Sequence, residues 1–138
     1  MVDVRVGQLR RSRDRLEARG EEAASGGDQV TAGLLLFYSA ECGLKAEVLA
    51  AVKAQSTAQL PDGLRSHDLR ALAKELRLPR RFQDAVSACK RVKEGQARPP
   101  QVESHALHQA WRYGADLESE GEKRAIAGLR MLISESRK

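Results

Sequence analysis

Asp28-Gln-Val-Thr-Ala-Gly-Leu-Leu-Leu-Phe-Tyr-Ser-Ala-Glu-Cys-Gly-Leu-Lys-Ala-Glu-Val-Leu-Ala-Ala-Val52 is the stretch whose reading decides the fold. Val30, Leu34 to Phe37, Leu44, Val48, Leu49 and Val52 put apolar side chains on most sides of a helix, so this segment is expected to be the central, most buried element. Asp28 is placed to cap it, its carboxylate accepting from backbone amides of the first turn. The stretch is not a membrane span. Glu41, Lys45, Glu47 and Lys53 interrupt it, and no apolar run in the chain approaches the roughly 18 residues that a span requires.

On the N-terminal side, Val4, Val6, Leu9 and Leu16 form a thin apolar stripe among arginines, which predicts a helix from about Asp3 to Ala24. Gly20 is expected to interrupt it and Ser25-Gly26-Gly27 to end it. On the C-terminal side, Pro61-Asp62-Gly63 signals a turn. Ser66 is then expected to cap a third helix, with Asp68 in its first turn and Leu69, Leu72 and Leu76 facing inward. Pro79 precedes a fourth amphipathic helix from about Arg80 to Lys93, carried by Phe82, Val86 and Cys89. Gly95 to Ser104, with Pro99-Pro100, reads as an irregular loop. Ser104 opens a short helix through Trp111, and a last helix from about Glu120 buries Ile126, Leu129, Leu132 and Ile133.

A chain of 138 residues can bury one proper core, so a single domain over residues 1–138 is expected. Leu, Ala, Arg, Glu and Lys dominate while β-branched and aromatic residues are scarce, and strands should be few or absent. The fold class is therefore all-α, an antiparallel bundle of four to six helices. The start of the chain lacks the order of a secretory signal, and a cytoplasmic location is expected. Cys42 and Cys89 are isolated, and two distant Cys with three scattered His do not suggest zinc; buried small hydrophobes are the better reading. No metal and no cofactor is expected.

The net charge of +5 is unevenly spread. Residues 1–19 hold six Arg against three acids, 65–93 hold nine basic residues against three acids, and 20–64 sum to −4. Two basic segments flanking an acidic one form a phosphate-facing surface if they fold side by side, and are otherwise solvated helix faces.

Three pieces carry a resemblance: Glu41-Cys-Gly-Leu-Lys-Ala46 on the apolar helix, Ser66-His-Asp-Leu69 opening the next, and Trp111-Arg-Tyr113 late in the chain. In this order they resemble HEPN domains, particularly the subgroup with an ECxLKA, then HDL, then RY pattern. The resemblance implies an antiparallel helical bundle, frequently a homodimer, used mostly in bacterial toxin–antitoxin and phage-defence systems. Many such proteins are metal-independent endoribonucleases whose signature is an Arg, four to six intervening residues, then a His. Others bind nucleotides or serve as inactive scaffolds for a partner protein, here one from an adjacent gene. This chain departs from that signature. No His follows Arg112, and although six residues separate Arg98 from His105, Pro99-Pro100 between them prevent one continuous helix from presenting both.

Metal-free RNA cleavage needs one group to deprotonate the 2′-hydroxyl, another to protonate the departing oxygen, and a cation for the charged phosphorane. His suits the proton steps and Arg the bidentate phosphate contact. The candidate catalytic residues are Arg112, Tyr113, His67 and His105, with Arg98 as a phosphate contact. Glu41, Lys45, Asp68 and His108 are a supporting polar cluster. Each has a structural alternative. Glu41 and Lys45, one helical turn apart in the favourable order, also suit a polar pair that fixes packing. His67 and Asp68 suit a helix start, and Trp111 suits a core anchor. RNA or a nucleotide is the expected ligand, and a non-catalytic interaction module is the alternative.

Overall fold

The computed structural model describes residues 3–92 and 101–138. Among them the chain is mostly helical, with six α-helices and a single two-stranded ribbon. No described helix is long and apolar enough to cross a membrane.

Helix α1 (Val6–Ser25) and helix α2 (Gln29–Ala51) form a hairpin through Gly26 and Gly27, the latter in the left-handed region at φ +84°. Asp28 caps α2 as expected, accepting from the Thr31 amide at 3.0 Å. Gly20 does not interrupt α1. A Cβ there would come within 2.9 Å of Leu36 Cγ, so the glycine is what lets α1 lie close against α2. Leu36, Phe37, Ala40, Leu44 and Leu49 of α2 are fully buried, and α1, α3, α5 and α6 all pack on this helix. The segment before α1 is tied to the chain that leaves α2, with the Thr57 amide donating to Val4 O at 2.9 Å and the Val4 amide to Thr57 Oγ1 at 2.9 Å.

Helix α3 (Leu69–Glu75) starts later than expected. Asp68 rather than Ser66 is its N-cap, accepting from the Ala71 amide at 3.1 Å. Helix α4 (Arg80–Gln83) is a single turn instead of running to Lys93. Phe82, Val86 and Cys89 are all buried as their spacing requires, but Val86 reaches the core from a bend and Cys89 from a strand. Two contacts override the helical periodicity. Gly128 brings α6 against the backbone at Ala85, whose carbonyl would lie 1.8 Å from a Cβ at that position. Strand β1 (Cys89–Lys90) then pairs antiparallel with β2 (Gln101–Val102), an element absent from the expectation.

A 3-10 turn over Ser104–Ala106 leads into α5 (Leu107–Tyr113), which ends at Gly114 with φ +74°. Trp111 is the core anchor expected of it. The indole lies over Gly33 of α2, where a Cβ would meet Trp111 Cε2 at 2.4 Å, and its Nε1 donates to Glu122 at 3.1 Å. Helix α6 (Ser119–Glu135) buries Ile126, Leu129, Leu132 and Ile133. Its C-terminus is held by the buried Arg13 of α1, which donates to Ser136 O at 3.2 Å.

Candidate functional site

Positions 38, 41 and 45 fall on one face of α2 by helical spacing, so Tyr38, Glu41 and Lys45 point the same way from the most buried helix. Both oxygens of Glu41 are used. Oε2 accepts from Lys45 Nζ at 2.7 Å, and Oε1 lies 2.7 Å from His67 Nδ1. The pair with Lys45 is buried on both sides, and Lys45 Nζ also reaches Arg65 O at 3.5 Å, tying α2 to the segment before α3. Since a carboxylate only accepts, Nδ1 of His67 carries a proton in this contact, so in the neutral ring Nε2 is the acceptor nitrogen. His67 itself is half exposed, with 46% of its side chain accessible.

From α5, His108 brings a second imidazole to this point. Its ring centroid is 4.2 Å from that of His67 and 5.1 Å from that of Phe37. His108 is buried, and among the described residues its Nδ1 has no hydrogen-bond partner. Burial holds its pKa below the ordinary 6.5; the neighbouring His67 acts in the same direction and the Glu41 carboxylate in the opposite one. Arg112 lies one turn further along α5. It donates from Nη2 to the Tyr38 hydroxyl, and its guanidinium carbon stands 5.6 Å from the centroid of the Tyr38 ring. Tyr38 is in turn 6.1 Å from each of the His67 and His108 rings.

The acid, imidazole and guanidinium of the three motifs thus meet, through Tyr38, at the junction of α2, α5 and the start of α3. Beside them opens a cleft of 330 Å³ walled by Ser66, His67 and Asp68 on one side and His105, His108 and Gln109 on the other. Asp68 lines it while its carboxylate caps α3. His105 is exposed in the 3-10 turn and lines the cleft as well. Tyr113 is not brought in. It is 76% exposed and touches the group only through Arg112, whose guanidinium carbon is 5.9 Å from its ring centroid. Arg98 lies outside the described residues.

Tyr38 is the member that motif reading misses, although its spacing of three and seven residues from Glu41 and Lys45 carries the signal. Much of the basic flank is engaged internally. Arg13 is buried, Arg10 pairs with Glu47 at 3.5 Å, Arg19 with Glu22 at 3.1 Å and Arg70 with Asp84 at 2.9 Å. Among the described residues no group of His, Cys, Asp and Glu is arranged to hold a metal ion. Cys42 and Cys89 are free thiols, each pushed up to about 11 chiefly by burial, so neither is a nucleophile near neutral pH. Comparison with protein-family models, with curated proteins and with solved structures finds no match to this chain.

Proposed function

We propose that the cleft is a phosphate site for RNA or a nucleotide, and that the protein is a metal-independent endoribonuclease of HEPN-like character acting in a toxin–antitoxin or phage-defence setting. The observation that carries this is the contact of 2.7 Å between Glu41 and His67 Nδ1, at the wall of a cleft that two further histidines share. A carboxylate that fixes an imidazole tautomer leaves Nε2 as a general base. In the proposed step that nitrogen takes the proton of a ribose 2′-hydroxyl. The oxygen then bonds to phosphorus as the bond to the 5′-oxygen breaks, giving a 2′,3′-cyclic phosphate. Protonated His105 supplies the proton that the departing oxygen needs, and Arg112, held by Tyr38, offsets the phosphorane charge. Total RNA and tRNA incubated with the protein in EDTA are expected to be cut, with His67→Ala and Arg112→Ala each reducing the rate at least about a hundredfold. Cleavage that survives both substitutions rejects this site, and RNA that is neither bound nor cut rejects the function.

A second reading is a non-catalytic interaction module that binds a partner protein. The buried Glu41–Lys45 pair and its tie to Arg65 favour it, because these contacts join α2 to the approach of α3 whether or not any reaction occurs. On this reading Glu41→Ala and His67→Ala lower the melting temperature and RNA is inert.

A further inference from the structure

The histidine cleft adjoins a second depression. His105 and Gln109 line both, so the 3-10 turn and the first turn of α5 form a ridge between them. The second depression measures 400 Å³ and lies between β2 and α5, a size within the roughly 300–1,000 Å³ of small-molecule sites. Its floor is apolar because Val102 comes from the strand while Ala106, at the end of the 3-10 turn, and Ala110, in α5, have side chains too short to fill it. Its edge is polar. Gln101 Nε2 donates to Glu103 Oε1 at 3.1 Å, which fixes the carboxylate, and among the described residues no donor reaches the second oxygen.

We propose that this depression is the base subsite of the phosphate site, and that it takes the guanine of a single-stranded RNA. The inference rests on the phosphate reading above. An apolar floor accepts the face of any base, and the His105 imidazole at the ridge is a stacking surface beside it. The edge decides which base. A carboxylate offers acceptors only, and guanine is the base whose Watson–Crick edge presents two adjacent donors, the N1 and N2 hydrogens, to a carboxylate fork. Adenine and uracil place an acceptor beside their donor, where a carboxylate repels it. The ridge residue His105 then stands between base and phosphate, as one nucleotide lying across both depressions requires. Arg91 also lines this depression and adds a positive charge for the neighbouring phosphate.

The test is titration of the full chain with guanosine, adenosine, cytidine and uridine 3′-monophosphates and with inorganic phosphate, followed by amide and imidazole NMR shifts. Guanosine 3′-monophosphate is expected to shift Val102, Ala106 and Ala110 together with His67 and His105, and to bind about tenfold tighter than the adenosine compound, the size of one good base-edge pair. Glu103→Gln, at an exposed position, should keep the fold and bring the two within about threefold. Four nucleotides binding alike, or a preference unchanged in Glu103→Gln, overturns the base subsite. Shifts confined to His67 and His105 do the same while leaving the phosphate reading intact. Silence of inorganic phosphate and every nucleotide at His67 and His105 overturns both.

Discussion

The imidazoles of His67 and His108 stand 4.2 Å apart, centroid to centroid, with their planes inclined by 40°. At that separation two positive charges repel strongly, and among the described residues the His67 ring alone has a carboxylate in contact. His108, buried and with no partner for Nδ1 among the described residues, is therefore the one that resists protonation.

That resistance makes stability depend on pH. The folded-state pKa of His108 lies below its ordinary 6.5, so the unfolded chain takes up this proton first. The contribution is complete above about 6.5 and is lost as pH falls through 6.5 toward the lowered folded value. His67, His105 and Glu41 all act on the same ring. Asp14 and Asp28, held below their ordinary 3.8 mainly by hydrogen bonds from Arg13 and Thr31 respectively, weaken the fold only in more acid solution, since their stabilisation is lost as pH falls past that value. Thermal melts from pH 8 to 5 should show the melting temperature dropping below pH 6.5, with a shallower drop in His108→Gln. Equal slopes in the two proteins would exclude His108 as the source.

Lys45→Met is expected to destabilise the fold by about 3 kcal/mol, the lower end of what stranding one member of a buried ion pair costs, because His67 still contacts the remaining carboxylate. Adding Glu41→Leu should restore much of the loss, since a buried pair replaced by apolar groups is close to neutral. Urea unfolding of the two variants measures this. A single variant within about 0.5 kcal/mol of the parent would show that water reaches Lys45.

The central helix is legible in the sequence because its apolar residues leave no polar face wide enough for solvent, and Asp28 marks its start. The convergence of Glu41 with His67 is legible through the motif order, but its distance is not. The fourth helix fails for a tertiary reason. The spacing of Phe82, Val86 and Cys89 satisfies a helix, and only the approach of Gly128 to Ala85 and the pairing with Gln101 and Val102, both more than ten residues away in sequence, show that the chain leaves the helix there. The basic flanks mislead in the same way. Charge counts along the chain do not say that Arg13 is buried under the end of α6 or that Arg70 faces Asp84. Tyr113 follows Arg112 in the motif, yet one residue of helix turns it 100° away, into solvent.

Arg13 joins three elements. Its guanidinium donates to Ser136 O at 3.2 Å and to Asp14 at 2.9 Å, its stem packs where a side chain at Gly43 would sit, and its own carbonyl accepts from Ser39 Oγ at 2.7 Å. Arg13→Ala should cost about 1.5–3 kcal/mol for the charged hydrogen bond to the helix end, and lost packing of the stem adds to it. Amide exchange should locate the loss in the last turn of α6. Protection unchanged from Leu132 to Ser136 would mean that Arg13 does not hold that end.

Gly33 and Gly128 set two helix approaches that no other residue permits. At Gly33 a Cβ would lie 2.4 Å from Trp111 Cε2, and at Gly128 one would lie 1.8 Å from the Ala85 carbonyl oxygen. The obstacles differ. Trp111 is a side chain on a short helix that can shift as a unit, whereas Ala85 is backbone held between α4 and β1. Gly33→Ala is therefore expected to cost about 1–3 kcal/mol, as overpacking does, and to move α5. Because α5 carries His108 and Arg112, that shift should also disturb the His67 and His108 imidazole signals in an NMR spectrum. Gly128→Ala should cost more, yet leave those signals in place, since α6 contributes no residue to the histidine cleft. Denaturant midpoints and imidazole shifts on the same two samples separate the effects. The opposite pattern, with the histidines disturbed by Gly128→Ala and untouched by Gly33→Ala, would show that α5 is not what positions the second imidazole.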